Sequence, residues 1–160
     1  MRRTSLKAAN CPVARSLDVI GDWWSLLVIR DAMGGVRRFS EFQRSLGAAK
    51  NILTTRLKTL VDHGIMAVGP ASDGSAYNEY VLTEKGHALL PAVVALAQWG
   101  RDYLFDAHEP CNVPVDRAEG EPLKKLTLVA QDGRQLKPCE VSMTPVSSAG
   151  CALSYAQRNL

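Results

Sequence analysis

A run of polar side chains between residues 50 and 58 has the spacing of one face of a helix. These side chains are Asn51, Thr54, Thr55 and Lys58, with Lys50 beside them. An asparagine amide can pair bidentately with adenine, a threonine can offer a methyl group to thymine or a hydroxyl to a phosphate, and a lysine can bond a phosphate. The spacing therefore predicts a face able to contact the bases and phosphates of DNA.

Apolar residues of the same segment predict the helix that positions this face. They are Leu53, Leu57, Leu60 and Val61, which recur at helical spacing and so face a core. We expect the helix to run over residues 50–63 and to stop at Gly64, because glycine favours helix C-termini. Arg56 lies at the edge of the apolar stripe, where an internal ion pair with Asp31 or Asp62 is one interpretation of it.

A shorter polar helix precedes this one. It is expected from Ser40 to Leu46, with Ser40 as its N-cap, and Gly47-Ala48-Ala49 breaks it. Two helices joined by a tight turn, the second with one apolar and one polar face, form the helix-turn-helix arrangement. In that arrangement the second helix enters the major groove of DNA.

Basic side chains are concentrated in the same half of the chain. Residues 1–60 hold 11 Lys or Arg against 4 Asp or Glu, residues 61–108 hold 2 against 6, and residues 109–160 hold 6 of each. Charge alone fits a solvated basic surface as well as a phosphate-binding face. The residues that we interpret as phosphate contacts are Arg37, Arg38, Arg44 and Lys50, and Ser40 is included among the DNA contacts.

Two helices are expected before the helix-turn-helix. The first covers Cys11 to Ile20, with Pro12 in its first turn. The second covers Trp23 to Met33, is strongly apolar and is therefore a central core helix, with Asp22 as its N-cap.

The pattern changes to strands after Gly64. Ile65-Met66-Ala67-Val68 and the segment 77–82 are predicted strands, and residues 69–76 form the polar loop between them. A strand pair directly after a recognition helix is the hairpin called a wing.

A long helix is predicted from the cap at Thr83 to about Asp106, with Pro91 as the point where it kinks. Its apolar stripe is wider than one small domain covers, which favours a homodimer interface, while a simple core helix is the alternative. The residues of the predicted interface are Leu89, Val93, Leu96, Trp99 and Tyr103.

The predicted fold class is mainly α with small β: a winged helix-turn-helix domain with a long C-terminal dimerisation helix and a small C-terminal β-hairpin extension. Composition shifts set the expected boundaries. These are an N-terminal arm at 1–10, the DNA-binding and dimerisation domain at 11–108, a linker at 109–122, the hairpin at 123–143 and a disordered tail at 144–160. The strands of the hairpin are expected over residues 123–130 and 136–143, joined by a turn at Gln131-Asp132-Gly133-Arg134. Cys139, Val141 and Met143 are expected on the core face of the hairpin.

Several classes of protein are disfavoured by the composition. No apolar run reaches the roughly 18–20 residues of a membrane span, and no signal-peptide stretch is present, so we expect a cytoplasmic protein. The Cys and His spacings do not match zinc sites, and no cofactor is expected. An enzyme is disfavoured because the acidic and histidine side chains do not converge on a nucleophile, and no phosphate-loop or dinucleotide motif occurs.

The chain resembles the HxlR family of prokaryotic winged-helix regulators over residues 11 to about 105. The matching segments, in order, are Cys11–Arg15, Val19–Asp31, Arg38–Phe42, Asn51–Leu60 with His63–Ile65, Glu79–Gly86, and Trp99-Gly100. Each segment alone is a weak signal, whereas their order and spacing together are specific. The resemblance implies a homodimer joined through the first and last helices of the domain. It also implies binding to an inverted-repeat operator on double-stranded DNA, most often as a repressor.

Two departures from the family pattern affect the expected site. Ala49 stands where a serine would usually cap the recognition helix. The wing loop contains Asp73 and no basic residue, and because an acid beside phosphates is repulsive, this sequence disfavours contact between the wing and the minor groove.

Cys11 is the candidate for an effector response. It lies at a helix start, where the helix dipole and Arg15 favour the thiolate, and the resemblance adds that some family members sense oxidants or electrophiles through a cysteine near this position. Packing as a small apolar group is the alternative, and Cys111 is a hypothetical disulfide partner across the dimer. A regulator without a thiol switch that responds to a small molecule is a further alternative. Its effector pocket near the dimer helix would be lined by aromatic residues, for which plain core packing is the other interpretation: Trp23, Trp24, Trp99, Tyr103 and Phe105. The last alternative is a winged-helix module that binds protein rather than DNA.

Overall fold

The computed structural model describes residues 5–144, and the helix-turn-helix lies among four helices that precede the first strand. They are α1 (Pro12–Ile20), α2 (Trp23–Met33), α3 (Phe39–Leu46) and α4 (Lys50–Asp62). The four expected helices are therefore confirmed, with bounds that differ from the sequence prediction by one residue at most. The chain divides between Val115 and Asp116 into two compact units, a point inside the predicted linker.

The core of the first unit is built around α2 and α4. Val28 and Ile29 of α2 are completely buried, and the predicted inward residues of α4, Leu53, Leu57 and Leu60, are at most 1% exposed. Phe42 of α3 closes the cluster and is also fully buried. Because the three α4 leucines occupy one stripe, the opposite stripe of the helix must face outward.

The caps of these helices agree with the sequence at α2 but not at α3. Asp22 accepts a hydrogen bond from the backbone N–H of Ser25 at 3.0 Å, as an N-cap should. The prediction that Ser40 caps α3 was wrong, because the helix already begins at Phe39. Glu41 replaces it: its Oε2 accepts from the backbone N–H groups of Arg38 at 3.0 Å and Arg37 at 3.2 Å.

The turn between α3 and α4 depends on Gly47. Its φ of 62° is left-handed, a conformation that favours glycine. Ala49 then precedes α4 without a side-chain cap, and α4 ends at Asp62 with His63 as its C-cap, one residue before the predicted end.

The wing is a two-stranded antiparallel sheet of β1 (Met66–Pro70) and β2 (Asn78–Leu82). Met66 lies opposite Leu82, and Pro70 lies opposite Asn78. The backbone N–H of Tyr80 donates to the carbonyl of Arg37 at 2.8 Å, which ties the second strand to the segment entering α3. The predicted hairpin is thus confirmed, although β1 begins one residue later and extends two residues farther than expected.

The long C-terminal helix of the first unit is confirmed but interrupted. It consists of α5 (Glu84–His87) and α6 (Leu90–Leu104), and Thr83 caps α5 by accepting from the N–H of Gly86 at 3.2 Å. The predicted kink at Pro91 is a break instead. Proline has no N–H and its ring clashes with the carbonyl four residues earlier, whereas the first turn of a new helix tolerates it.

The second unit holds a much smaller hairpin than predicted. Its strands are β3 (Leu128–Val129) and β4 (Gln135–Leu136), followed by a short 3-10 turn at Pro138–Glu140. The predicted turn is present, with Gly133 at a φ of 85°. The longer strands over 123–130 and 136–143 were wrong, because Pro138 cannot donate to a strand ladder and a two-stranded hairpin alone is marginally stable.

The predicted core face of this hairpin is open to solvent. Cys139 is exposed, not a core residue, and Val141 and Met143 are exposed as well. The expected disorder of the tail concerns residues that lie, apart from Thr144, outside the described part of the chain. Across residues 5–144, no helix combines the length and apolar character needed to cross a membrane.

Gly86 provides a test of this packing. A Cβ at this buried glycine would lie 2.3 Å from the carbonyl oxygen of Ile65, which is backbone and cannot move aside cheaply. We expect Gly86→Ala to lower the free energy of unfolding by about 1–3 kcal/mol, measured by urea denaturation followed by circular dichroism. Gly69→Ala is the control, since a Cβ there meets no atom within 4 Å. Equal midpoints for Gly86→Ala and the wild type would contradict the close approach.

Candidate nucleic-acid interface

The outward stripe of α4 carries the side chains that the sequence predicted to contact DNA. All of them are exposed: Lys50, Asn51, Thr54, Thr55 and Lys58. Within residues 5–144, Lys50 and Lys58 form no salt bridge and the Asn51 amide has no hydrogen-bond partner, so these groups are available to a ligand. The buried leucines on the opposite stripe hold this face in place.

The threonine hydroxyls of α4 donate inward. Thr54 Oγ1 donates to the carbonyl of Lys50 and Thr55 Oγ1 donates to the carbonyl of Asn51, each at 2.8 Å. Each hydroxyl hydrogen is therefore occupied by the preceding helical turn. The oxygens remain free to accept, and the side chains are held in one rotamer.

Arg37 and Arg38, predicted as phosphate contacts, both reach the wing. Arg37 Nη1 lies 3.6 Å from Oε2 of Glu79, a buried carboxylate on β2. Arg38 Nη2 bonds Asp73 of the wing loop and lies 3.4 Å from Ser75 Oγ, and its guanidinium lies 6.0 Å from the ring centre of Tyr77. The start of α3 and the wing are thus joined by charged groups.

Asp73 is not the unpaired wing acid that the sequence implied. The hydroxyl and backbone N–H of Ser75, followed by the Arg38 guanidinium, lower the pKa of Asp73 to about 2. The same contact with Asp73 raises the pKa of Arg38. Both groups are charged at neutral pH, and the pairing joins residues 35 positions apart in the chain.

A cleft of about 420 Å³ opens beside this ion pair. Arg38 borders it, and its walls combine the aromatic rings of Phe39 and Tyr80 with three residues that carry a hydroxyl, a phenol and an amide: Ser40, Tyr77 and Asn78. These are donor groups of the kind that bind phosphate oxygens. Sequence reasoning found Arg38 and Ser40 but missed Tyr77 and Asn78, because a helix start and a strand 37 to 40 residues later give no common pattern.

Arg56 forms an ion pair, but with a different partner from either of those predicted. Its Nε lies 3.2 Å from Oδ1 of Asp22, the N-cap of α2. Asp31 is paired with the neighbouring Arg30 at 2.7 Å. Arg56 therefore ties α4 to the start of α2 and is not a free cation of the outward face.

The predicted dimer residues divide into two groups. Leu89 and Val93 are partly buried against the core of their own chain. Leu96, Trp99 and Tyr103 on α6 are 53% to 70% exposed, and Val13 and Leu17 on α1 are also exposed. Of the aromatic residues proposed to line an effector pocket, Trp24 is partly buried against the core. The other four are 41% to 75% exposed: Trp23, Trp99, Tyr103 and Phe105.

Cys11 is an exposed thiol at the N-cap of α1. Arg15, one turn later, donates from Nε to the carbonyl of Ala9 at 2.6 Å. Cys111 is half-buried, and Cys151 lies outside the described residues. No three His, Cys, Asp or Glu side chains gather into a metal-binding group anywhere in the described range 5–144.

A helix-turn-helix followed by a two-stranded wing and a long helix defines the winged-helix class of DNA-binding regulators. The HxlR-like helix-turn-helix model matches residues 19–108, and the chain belongs to this family. The members of this family and the relatives named below are transcriptional regulators, a class distinct from enzymes.

Two solved structures and one relative show the extent of the likeness. The crystal structure of PA1607, a candidate transcription factor, is 52% identical with a TM-score of 0.82 and covers 88% of this chain and 99% of its own. Such coverage exceeds what residues 1–108 supply, so the likeness reaches into the C-terminal extension. The redox regulator HypR in its oxidized form is 34% identical, with a TM-score of 0.54, over 61% of this chain and 100% of its own.

The relative is Rv3095 of Mycobacterium tuberculosis, described as an uncharacterized HTH-type transcriptional regulator. It is 40% identical over 112 residues, which is 70% of this chain. The match spans 64% of the length of that relative.

Proposed function

We propose that this transcriptional regulator is a homodimeric repressor that binds an inverted-repeat operator through the outward face of α4. The observation that carries the proposal is the exposure of Asn51, Lys50 and Lys58 on that face without partners among the described residues. A free amide can read adenine, and free cations can bind phosphates. Arg44, in the last turn of α3 and exposed, adds a further phosphate contact.

Binding to DNA is tested with variants that separate base reading from phosphate binding. Asn51→Ala is expected to lower the preference for the DNA upstream of the protein's own gene over a random duplex by about 1–3 kcal/mol. The reason is that the bidentate contact between Asn51 and one base is lost. Arg44→Gln is expected to weaken binding to both duplexes equally and to reduce the slope of log K against log salt by about 0.9. Fluorescence anisotropy over a potassium chloride series measures both effects.

Arg134→Gln is the control for net charge, since Arg134 is an exposed cation of the second unit. It should change neither the preference nor the slope. If the wild type binds no duplex at low salt, the proposal of DNA binding is wrong for this chain, and the protein-interaction alternative gains support.

Dimerisation is proposed from the apolar side chains that are exposed to solvent in a single chain. Leu96, Trp99 and Tyr103 follow one another along α6 at helical spacing, and α1 adds Val13 and Leu17. Exposed apolar side chains aligned on a helix face are typical of interaction surfaces. A two-fold dimer also matches an inverted repeat, because each recognition helix then meets one half-site.

Leu96→Glu is expected to shift the protein from the mass of two chains to the mass of one in analytical ultracentrifugation, because a charge would have to be buried in the interface. Leu96→Met keeps an apolar side chain of similar volume and should remain a dimer. A dimer that survives Leu96→Glu would show that this face of α6 is not the interface.

Oxidant sensing through Cys11 is proposed from its exposure at the start of α1, a helix of the proposed dimer interface. The likeness to HypR, which is named a redox regulator, also supports it. Oxidation of the Cys11 thiol and a second thiol, for which Cys111 across the dimer is the candidate, would form a disulfide and transfer two electrons and two protons to the oxidant. A disulfide at this position would alter how two chains meet, and so the distance between their recognition helices.

Diamide provides the oxidant for the test. The wild type is expected to lose its operator complex in a gel shift after diamide and to regain it with dithiothreitol, while Cys11→Ser stays bound throughout. Cys139→Ser is the matched control, because Cys139 is an exposed thiol of the second unit. If wild type and Cys11→Ser respond alike, the regulator is controlled in another way, and the search moves to small-molecule effectors.

A further inference from the structure

The ion pair between Arg38 and Asp73 places a carboxylate against a guanidinium, a group that also binds phosphates. Arg38 Nη2 bonds the Asp73 carboxylate and lies near Ser75 Oγ, while its Nε is 4.0 Å from Glu79 Oε1. The Arg38 side chain remains 32% exposed and the Asp73 side chain 54% exposed. The pair is therefore at the surface, where its partners can be exchanged.

The surroundings of the pair include groups that can bind phosphate. The adjoining cleft is lined by Ser40, Tyr77 and Asn78, whose side chains can donate to phosphate oxygens, together with the aromatic rings of Phe39 and Tyr80. Arginine binds carboxylate and phosphate through the same planar set of N–H groups. A carboxylate bonded to Arg38 consequently imitates a phosphodiester.

The local fold fixes Asp73 in this position. Its Oδ1 accepts from the backbone N–H of Ser75 at 3.0 Å, which holds the carboxylate at the tip of the wing. Its partner Arg38 is held from the other side, because Glu41 accepts from the Arg38 backbone N–H. Two segments, each with its own hydrogen bond, thus bring one cation and one anion together.

We propose that Asp73 is an internal phosphate mimic: it holds Arg38 in the free protein, and a DNA backbone phosphate in the cleft displaces it in the complex. The proposal rests on the DNA-binding function proposed above and adds the wing to the contact surface. Arg38 then supplies the basic group that the wing loop itself lacks. Asp73 sets the strength of that contact by competing for it.

The competition has a consequence for the salt dependence of binding. A new phosphate contact contributes about 0.9 to the slope of log K against log salt, because it releases a condensed counterion from the DNA. When Arg38 leaves Asp73, the freed carboxylate takes up a cation, which cancels most of that release. Removal of the Asp73 charge should therefore reveal the full contribution of Arg38.

Asp73→Asn is the central variant, because its amide oxygen can still accept from Ser75 N–H and preserve the turn. We expect it to bind duplex DNA several-fold more tightly than the wild type and to steepen the salt slope by about 0.9. In an Arg38→Gln background the same substitution should give no gain, since the cation it frees is absent. Anisotropy with one duplex over a potassium chloride series measures all four proteins, and circular dichroism confirms that each is folded.

Asp132→Asn is the matched control. Asp132 also accepts from the backbone N–H two residues later and pairs with an arginine, Arg134, but it lies in the second unit. It removes the same charge and should leave both affinity and slope unchanged.

Four results would overturn the proposal. If Asp73→Asn weakens binding as much as Arg38→Gln does, the ion pair only holds the wing to α3. If Asp73→Asn gives the same gain with and without Arg38, it merely removes a charge that repels DNA. If the wild type binds no duplex at low salt, the proposed DNA-binding function fails, and the phosphate-mimic proposal fails with it. If the wild type binds DNA but Asp73→Asn changes neither affinity nor salt slope, only the phosphate-mimic proposal fails.

Discussion

The burial of the leucine stripe of α4 is the constraint on which the proposed interface depends. Leu53, Leu57 and Leu60 are at most 1% exposed and meet Phe42 and Ile29 in the core. A rotation of α4 by one residue, about 100°, would expose these leucines, each of which stabilises the fold by about 1.5–3 kcal/mol when buried. The outward direction of Asn51 is therefore determined by the core and not by the surface.

Much of the fold could be predicted because its signals are local. Helical spacing identified the inward and outward faces of α4, and the Asp22 cap and the wing followed from neighbouring residues. The details that failed depend on competition between local signals. Glu41 provides a better cap arrangement than Ser40, and Pro91 ends one helix and begins another instead of bending it.

The contacts of the site that sequence reasoning missed are between distant residues. Two ion pairs illustrate this: Arg38 with Asp73, and Arg56 with Asp22. Neither can be predicted without knowing which elements lie side by side. The charge distribution along the chain was misleading for the same reason. Arg37 and Arg38 belong to the basic segment 1–60, yet they are neutralised by acids of the acidic segment 61–108. The free cations of the helix-turn-helix are consequently fewer than the sequence count suggests.

In the proposed complex with DNA, the inward-donating hydroxyls of α4 would limit which bases that helix can accept. Because the hydrogens of these hydroxyls are bonded to the carbonyls of the preceding turn, Thr54 and Thr55 would present oxygen lone pairs and methyl groups to the groove. The amino groups of adenine and cytosine can donate to such oxygens, and the methyl group of thymine can pack against theirs, whereas the major-groove edge of guanine offers only acceptors. A guanine facing either threonine would set acceptor against acceptor, so in the proposed complex these two residues would discriminate by rejection as well as by contact.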